Sequence, residues 1–412
     1  MTRRYFFLQA AVSVTPNVRG RGGARITRIR VAPLQGRFHK FVAMNAYDRA
    51  PKGHTYEHAL IRIETSEGVE GLGPCSYAAP DTEYYAALRK LLGADPTAIY
   101  QMEDGRIAGR SPDYADLLRR YKHLDGALFD LLGKLTSRPV SALLGDVSRE
   151  RIDVYDGTLY FSDVWFRDRG TNVVVEEVQE AVRRGYEAVK LKLGRGFKWM
   201  DKAAGLGRDI EVVRAVREAV GPAVSIMTDP NDGYRDDFDG LWRLLTETRA
   251  AKLYWIEEPF PESVAGYQKL KDKLAEAGIG TRIADGENFR EPAQFDPYLK
   301  PRRLMDVLQL DIRTGGLLAN REVAKAGQIA GAMTVPHNWA SRLGFLMSLH
   351  TAKAVPGIPW VEDDRSTYDV VVDEGYEFSG GQYKVSSLPG LGVRIDERAY
   401  ELKCKAQEVV IA

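Results

Sequence analysis

The segment at residues 189–193 reads Val189-Lys190-Leu191-Lys192-Leu193, an apolar run with a lysine at every second position. This alternation predicts a β-strand with both lysines on one face and the apolar side chains on the other. Helical patterns flank the segment, which favours a strand inside a sheet over the alternative, an edge strand with solvated lysines. Because two buried ammonium groups disfavour each other's charge, we expect one lysine to have a pKa well below its ordinary value and to act as a base.

The region from residue 151 onward alternates short apolar strands with amphipathic helices, which is typical of parallel β/α units. The first predicted elements are strands at 153–155, 188–193 and 225–229 and helices at 175–184 and 209–219. Polar residues end successive predicted strands: Lys192, Asp229, Glu257, Glu287, Asp311, His337 and Glu362. They follow one another at intervals of 24 to 37 residues. A (β/α)₈ barrel needs roughly 31 residues per unit, and its strand ends converge on one active site.

Three of these residues are carboxylates on neighbouring predicted strands. Asp229, Glu257 and Glu287 would repel one another at one site unless a cation lies between them. Mg²⁺ prefers such all-oxygen ligation, so the pattern predicts a magnesium site. The alternative is that each carboxylate only caps the helix that follows its strand.

The last three strand ends carry different groups. A carboxylate beside an imidazole orients the ring and stabilises its charged form, so Asp311 and His337 are predicted to form a general acid–base pair. Glu362 is expected to hydrogen-bond a substrate carboxylate as charge develops there. Because Asp363 and Asp364 follow it, a solvated acidic loop is the open alternative.

The chain before residue 146 has another character. Residues 25–74 alternate like strands with a turn at Ser66-Glu67-Gly68, and residues 82–135 have a helical pattern, so we predict an α+β unit over 25–145. The β/α region then spans 146–363. Residues 364–412 are again strand-like and are expected to rejoin the first unit.

The first 24 residues are predicted to be a flexible leader. Thr2-Arg3-Arg4-Tyr5-Phe6-Phe7-Leu8 is similar to a twin-arginine export signal, and a polar, glycine-rich linker follows it. The alternative is a frayed terminus whose aromatic residues pack on a neighbour. We therefore expect a cytoplasmic protein, or a periplasmic one if the signal works.

The composition excludes several classes of protein. The chain has 412 residues, of which 44% are hydrophobic, and its mean hydropathy is −0.32. These values exclude a disordered chain and a polytopic membrane protein. Its 58 basic and 57 acidic residues leave no global field to attract nucleic acid or an anionic membrane. Two cysteines, Cys75 and Cys404, cannot form a disulfide framework.

The motifs resemble those of the enolase superfamily and, within it, the mandelate racemase subgroup. The resemblance covers nearly the whole chain after about residue 25. It rests on Lys190-x-Lys192, Asp229-x-Asn231, Ile256-Glu257-Glu258-Pro259, Gly286-Glu287, Gly315-Gly316, His337, Trp360-x-Glu362, Leu143-Leu144-Gly145 and Pro389-Gly390-Leu391-Gly392-Val393. It implies a modified TIM (β/α) barrel with an α+β capping domain, built from the N-terminal region and the C-terminal tail.

The resemblance also implies roles for the residues at the strand ends. These are Mg²⁺ ligation by Asp229, Glu257 and Glu287, a base at Lys192, an opposing acid–base group at His337 oriented by Asp311, and a charged Lys190 near the substrate carboxylate. Asp285 competes with Glu287 as the third ligand, because both lie on one face if the strand runs straight. Gly286 and the family pattern favour Glu287. Substrate contacts are expected from Asn231, Tyr155 and His39.

Removal of a proton α to a carboxylate is the chemistry that such a site suits. The expected lid segments, 38–58 and 76–85, are mixed polar and aromatic, which suits a hydroxylated acid. We therefore expect a homo-oligomeric hydro-lyase that acts on a small-molecule carboxylate, dehydrating an aldonate or aldarate to a 2-keto-3-deoxy acid. A racemase or epimerase of a 2-hydroxy acid is the alternative. A Schiff-base aldolase using Lys192 and a non-catalytic relative are more distant ones.

Overall fold

The computed structural model of the chain describes residues 23–75 and 82–412. Its strands are β1 Ile26–Val42, β2 Gly53–Thr65, β3 Glu70–Cys75, β4 Tyr100–Glu103, β5 Arg106–Arg110, β6 Arg151–Leu159, β7 Ala188–Lys192, β8 Ser225–Asp229, β9 Trp255–Glu257, β10 Arg282–Asp285, β11 Val307–Leu308, β12 Met333–Thr334, β13 Trp360–Asp363, β14 Ser366–Tyr368, β15 Val371–Asp373, β16 Glu377–Ser379, β17 Gln382–Lys384, β18 Val393–Ile395 and β19 Val409–Ile411. Its helices are α1 Thr82–Leu88, α2 Ala115–Arg120, α3 Leu124–Leu135, α4 Val140–Leu144, α5 Ser162–Trp165, α6 Asn172–Arg184, α7 Lys202–Val220, α8 Phe238–Glu247, α9 Val264–Glu276, α10 Asp296–Leu299, α11 Ile312–Ala330, α12 Arg342–Ala354 and α13 Glu397–Lys403. None of the helices in these ranges is long and apolar enough to cross a membrane. Residues 1–22 of the predicted leader and 76–81 of the expected lid lie outside the described residues.

Five strands form an antiparallel sheet around the long strand β1. β2 pairs with β1 and with β3, and the predicted turn at residues 66–68 joins β2 to β3. β14 and β19, from the C-terminal tail, pair with residues 36–38 and 29–31 of β1. Helix α3 packs on β3, where any side chain at Gly71 or Gly73 would collide with the backbone of Ala127. The tail therefore completes the capping sheet, as the resemblance implied.

One stretch predicted to be helical forms a β-hairpin. Within residues 82–135, β4 and β5 pair antiparallel between the helices. Their turn is Asp104-Gly105, with φ of 49° and 75°. An Asp-Gly pair adopts this left-handed conformation readily. The helical prediction was wrong over residues 100–110, and the Asp-Gly pair was the signal that it overlooked.

Eight parallel strands, β6 to β13, form the barrel. They pair in chain order from β6 to β12, and β13 pairs with β6. The predicted strands at 188–193 and 225–229 agree with β7 and β8 to within one residue, whereas the helix predicted at 209–219 begins earlier, at Lys202. β13 is followed directly by β14 of the capping sheet. The barrel is thus seven β/α units and a final strand.

The C-terminal tail divides between the two units. β14 and β19 join the capping sheet, whereas β17 pairs antiparallel with β6 of the barrel and carries β16 at its edge. β15 and β18 pair with each other. The expected return of the tail to the first unit therefore describes only part of it.

The interior of the barrel, its lumen, has two layers of side chains. The layer deep in the barrel is apolar and is called the floor, and the layer at the carboxyl ends of the strands is polar and is called the mouth. The floor is one buried cluster of Tyr155, Ala188, Met227, Trp255, Ala284, Val307 and Val335. Two residues further along each strand the same face is exposed to the lumen again. Lys190 follows Ala188 and Glu257 follows Trp255 in this way, so the strand register itself brings polar groups to the mouth.

Candidate active site

Lys190 lies at the centre of the polar layer above the lumen floor and is fully buried. Its Nζ is 2.7 Å from Glu257 Oε1, 2.7 Å from Glu362 Oε1 and 3.4 Å from Asp229 Oδ2. The ends of β7, β8, β9 and β13 therefore meet at one ammonium group. The contact between Lys190 and Glu362 joins residues that lie 172 positions apart in the sequence.

The contacts of three consecutive acids define the register at the end of β13. Glu362 faces the lumen and binds Lys190. Asp363 accepts a hydrogen bond of 2.7 Å from the Tyr186 hydroxyl, and Asp364 accepts one from a main-chain N–H group. All three acids are buried. The alternative of a solvated acidic loop is therefore wrong.

Lys192 lies one pleat nearer the mouth and pairs with Asp229 Oδ2. Its Nζ also lies 5.5 Å from the centre of the Tyr160 ring. Burial alone would lower the pKa of both lysines, but the surrounding carboxylates outweigh it and hold both pKa values well above the ordinary range. The expectation that lysine–lysine repulsion depresses one pKa is wrong in this arrangement, because each ammonium group has its own carboxylate.

Two residues that the sequence analysis missed hold Glu257 in place. Trp255 Nε1 donates to Glu257 Oε2 at 3.1 Å, and Gln309 Nε2 donates to the same oxygen at 2.9 Å. Trp255 lies two residues before Glu257, and Gln309 lies two residues before Asp311. Extending the period of two backwards along each strand would have found both.

Asp285 and Glu287 point in different directions. Ala284 lines the lumen, so Asp285 points outward, where it accepts hydrogen bonds from a tyrosine hydroxyl of α9 and from the Gly286 N–H group. Gly286 has a φ of +112°, which breaks the strand and returns the next residue to the mouth. Glu287 Oε2 there lies 3.2 Å from His337 Nε2. Of the two candidates for the third metal ligand, Glu287 is the one that faces the site.

Asp311 and His337 lie side by side. His337 Nδ1 is 2.9 Å from Asp311 Oδ2, and the two residues form an isolated parallel bridge. Asp311 Oδ1 also accepts from the Thr314 N–H group at 2.8 Å and so caps α11. Burial alone would lower the pKa of His337, but the carboxylates of Glu287 and Asp311 outweigh it and raise the pKa to about 9.

Arg313, which the sequence analysis also missed, connects this pair to the capping domain. Its guanidinium lies 3.3 Å from Asp311 Oδ2 and 3.2 Å from Nε2 of His58 on β2. Burial alone would raise the pKa of Asp311, but Arg313 and His337 outweigh it and hold that pKa well below the ordinary range. An arginine in the first turn of a helix carries no signal in one sequence that separates it from a surface residue.

The segment between β1 and β2 closes one side of the mouth. Asn45 Nδ2 donates to Asn231 Oδ1 at 3.0 Å, and Asn231 Nδ2 donates to Glu258 Oε2 at 3.0 Å. Asn288 Nδ2 donates to the other oxygen of Glu258 at 2.9 Å. Asn231, for which a substrate contact was predicted, has its amide bound to the lid segment and to Glu258 in the structure.

The remaining two predicted substrate contacts lie in different places. His39 lies on β1, where it is exposed and lines a surface pocket with Glu180 and Arg183 of α6. The prediction for His39 is wrong, because this face of β1 points away from the lumen. Tyr155 lies in the lumen floor with its ring 5.8 Å from Lys190 Nζ, and its buried hydroxyl has no hydrogen-bond partner among the described residues.

The carboxylates at the mouth have the chemistry of a magnesium site, although they are paired with cations of the chain itself. Within residues 23–75 and 82–412, no three acidic, histidine or cysteine side chains are grouped so as to hold a metal ion as they stand. Two features nevertheless suit a hard cation. Glu287 Oε2 is buried and lies 3.2 Å from His337 Nε2 without hydrogen-bond geometry, and burial, against the effect of Lys190, raises the pKa of Glu257. The carboxylate oxygens of Asp229, Glu257 and Glu287 are the type of ligand that Mg²⁺ prefers.

The fold and the mouth together define a class of barrel enzymes that transfer protons beside a carboxylate. The chain belongs to the mandelate racemase / muconate lactonizing enzyme family. Residues 43–145 match the N-terminal domain of that family, and residues 173–399 match its enolase C-terminal domain-like part. The resemblance drawn from the motifs is confirmed.

Several known proteins are similar to the chain over nearly its full length. Arabinonate dehydratase of Saccharolobus solfataricus is 27% identical over 369 residues, which cover 86% of this chain and 92% of that protein. The structure of a Geobacillus galacturonate dehydratase, complexed with D-galacturonate, has a TM-score of 0.82 at 26% identity and covers 94% and 99% of the two chains. A second Geobacillus structure of the family, complexed with magnesium and tartrate, has a TM-score of 0.79 at 27% identity and covers 92% and 95%. These similarities confirm the predicted modified barrel with its capping domain.

Proposed function

We propose that the chain is a Mg²⁺-dependent hydro-lyase that dehydrates an acid sugar, an aldonate or aldarate, to a 2-keto-3-deoxy acid. The observation that carries the proposal is the placement of two proton-transfer groups. Lys192 ends the second barrel strand and His337 follows the seventh, so an amine and an imidazole reach the mouth from different walls with the carboxylates between them. The dehydratases among the similar proteins support this reaction class.

Asp229, Glu257 and Glu287 are the residues that would hold Mg²⁺. When bound, the ion would supply several kcal/mol of stabilisation to the negative charge that develops on the substrate carboxylate. In the structure Glu257 pairs with Lys190 and Asp229 with Lys192. If Asp229 served as a metal ligand, less counter-charge would remain for Lys192, which would favour its neutral, basic form.

The chain's own residues divide the proton transfers. Lys192 Nζ takes the proton from C2 of the substrate. His337 Nε2 gives a proton to the C3 hydroxyl as the C3–O bond breaks and water leaves, and the enol that remains becomes the 2-keto-3-deoxy acid. Asp311 bonds Nδ1 of the same ring, so Nε2 faces the mouth.

Three further residues serve the substrate's carboxylate end. We assign Lys190 the role of a positive charge, because Glu362, which is outside the proposed metal-ligand set, lies 2.7 Å from its Nζ. Burial alone would raise the pKa of Glu362, but Lys190 outweighs it and lowers that pKa, so the ionised Glu362 acts through Lys190, its ion-pair partner. The Tyr155 hydroxyl, beside Lys190, is the substrate contact that we retain from the sequence analysis.

A racemase or epimerase is the second candidate, favoured by the same placement of Lys192 and His337. Removal of the C2 proton by one group and its return by the other would invert C2 without loss of water. The difference between the two candidates is the leaving group at C3, which the substrate supplies.

A screen of mono- and diacid sugars tests the proposal. We expect release of a 2-keto acid that needs Mg²⁺, stops in EDTA and is lost in Lys192→Ala but kept in the control Lys202→Ala, an exposed lysine on α7. A change of optical rotation without 2-keto acid would assign a racemase. A substrate adduct trapped by borohydride would assign a Schiff-base aldolase, and no turnover of any acid sugar would reject the proposal.

A further inference from the structure

A second set of buried charges lies behind Lys192, where α5 and α7 meet the loop after β7. Arg195 is fully buried. Its guanidinium donates to both carboxylate oxygens of Asp163 and to Asp209 Oδ1, over distances of 2.7 to 3.2 Å. Arg208 reaches Asp163 Oδ2 from the other side at 3.2 Å. Two arginines and two aspartates make up this cluster, so its formal charges cancel.

The cluster holds the main chain next to Lys192. Arg195 Nη1 donates to the Lys192 carbonyl at 3.2 Å. Asp209 Oδ2 accepts from the N–H groups of Gly194 and Arg195 at 2.8 and 3.3 Å. The backbone on both sides of Leu193 is therefore bound to fixed, buried groups.

The guanidinium that makes these contacts has one orientation. The Phe161 ring lies 4.4 Å from Cζ of Arg195 and supports its flat face. The Tyr234 hydroxyl donates to Asp209 Oδ2 at 2.7 Å and completes the acceptor side. A planar fork with five donors can bind two carboxylates and a carbonyl at once, whereas a lysine in its place cannot.

We infer that Arg195 is a positioning residue for Lys192, which it holds through the main-chain carbonyl. The inference rests on the proposed function, in which Lys192 takes the C2 proton. The Nζ of Lys192 lies at the end of a long side chain. A shift of the Lys192 main chain therefore shifts Nζ relative to the substrate. A displacement of about 1 Å at a reacting group can cost about 100-fold in rate. Asp163 and Asp209 act with Arg195, and none of the three touches the substrate.

The test uses a pair of C2-epimeric 3-deoxy acid sugars, which can exchange the C2 proton but cannot eliminate water. For the epimer whose C2 proton faces Lys192, the rate of exchange in D₂O measures proton transfer by Lys192. For the other epimer it measures proton transfer by His337. Arg195→Lys keeps the buried charge but loses the fork. We expect it to lose about 10- to 100-fold of the kcat for exchange on the Lys192 side, with KM and exchange on the His337 side unchanged.

Two further variants separate positioning from general loss of structure. Arg208 contacts the same Asp163 but not the Lys192 backbone. Arg208→Lys should therefore leave the ratio of the two exchange rates at the wild-type value. Tyr234→Phe removes only the hydroxyl contact to Asp209 and should lower the Lys192-side rate by less than Arg195→Lys does. It keeps the test open if Arg195→Lys fails to fold.

The outcomes distinguish this inference from the proposed function. A selective loss on the side that Lys192→Ala abolishes supports it. An equal loss on both sides, or no loss in a folded Arg195→Lys and in Tyr234→Phe, overturns the positioning role while the proposed function stands. If the wild-type protein exchanges neither epimer, the proposed function fails and this inference fails with it.

Discussion

The two walls of the site are supported by different parts of the molecule. The Lys192 wall is held inside the barrel. Lys192 itself pairs with Asp229 on the neighbouring strand, and Arg195 holds its main chain from behind through contacts to α5 and α7. Every one of these supports belongs to the β/α units.

The His337 wall reaches out of the barrel into the capping domain. His337 bonds Asp311, Asp311 contacts Arg313, and Arg313 contacts His58 on β2. The difference is one of linkage: the acid–base pair of His337 is joined to the capping sheet through Arg313, whereas the capping domain touches the Lys192 wall behind it, where the Phe161 N–H group donates to the Met44 carbonyl at 3.0 Å. Variants of the two walls should therefore separate two steps of one reaction.

The largest effects are expected from the two proton-transfer residues themselves. Lys192→Ala and His337→Asn should each lower dehydration by about 10²- to 10⁴-fold, which is the usual contribution of general acid–base catalysis. Lys192→Ala should also abolish C2 exchange in D₂O with the substrate epimer. His337→Asn should keep that exchange and lose only elimination. Loss of exchange in both variants would contradict the division of roles.

A smaller effect is expected from Arg313→Met, which cuts the link to the capping domain. The variant removes the positive charge beside Asp311, and a hydrogen bond to a charged group is worth enough to cost about 10-fold in elimination. Exchange at the Lys192 wall should stay at the wild-type rate. Lys325→Met, an exposed change on the same helix α11, is the control. Equal loss of exchange and elimination would show that the walls are not independent.

Buried histidines of the scaffold and the site have pKa shifts of opposite sign. His350 accepts from the Ser141 N–H group at 3.1 Å and lies 2.8 Å from the Tyr376 hydroxyl, and burial lowers its pKa to about 3. The unfolded chain binds a proton at this residue below about pH 6.5. The folded state does not until about pH 3, so its stability falls as the pH falls through this window.

The measurement is urea unfolding of His350→Gln and wild type at several values from pH 7 down to pH 4. As the pH falls, the free energy of unfolding should decrease less steeply in the variant than in the wild type, by up to about 1.4 kcal/mol per pH unit. His54→Gln, a change at an exposed histidine, is the control variant. An unchanged slope in His350→Gln would mean that this histidine is protonated in the folded protein.

The smallest effect is expected at the lid segment, which closes a third side of the mouth. Asn45→Ala removes the amide contact to Asn231, and a neutral hydrogen bond is worth about 1 kcal/mol. We expect a rise of about fivefold in KM with little change in kcat, since neither proton-transfer group is touched. Thr55→Ala, an exposed change on β2, is the matched control. A fall in kcat alone would place Asn45 in the chemistry instead.

The placement of the site residues was predictable because two periods coincide. The period of two along Val189–Leu193 puts both lysines in the lumen, and the repeat of the β/α units places Asp229 and Glu257 at two successive strand ends and His337 just after the seventh barrel strand. Neither period requires knowledge of any long-range contact. Local rules were sufficient here because a barrel brings all its strand ends to one place.

What the sequence analysis missed depends on contacts between distant segments. The lysine pKa values rise because Glu257 and Glu362 come from other strands, and pairwise repulsion within one strand could not reveal this. Arg195 and Arg313 each bind residues that are far away in the chain, at Asp163 and His58. A buried arginine and a surface arginine look the same until the packing around them is known.

The most direct test of the proposed removal of the C2 proton by Lys192 is to follow a hydrogen label at C2 of the substrate. The acid sugar that the screen selects would be prepared with deuterium at C2 and converted by the wild-type protein in ordinary water, with Mg²⁺ and with EDTA. We predict that the label passes to solvent only with Mg²⁺ and that Lys192→Ala leaves it in the unconverted substrate. Label recovered at C3 of the 2-keto acid, or lost to solvent at the same rate in EDTA, would contradict this prediction.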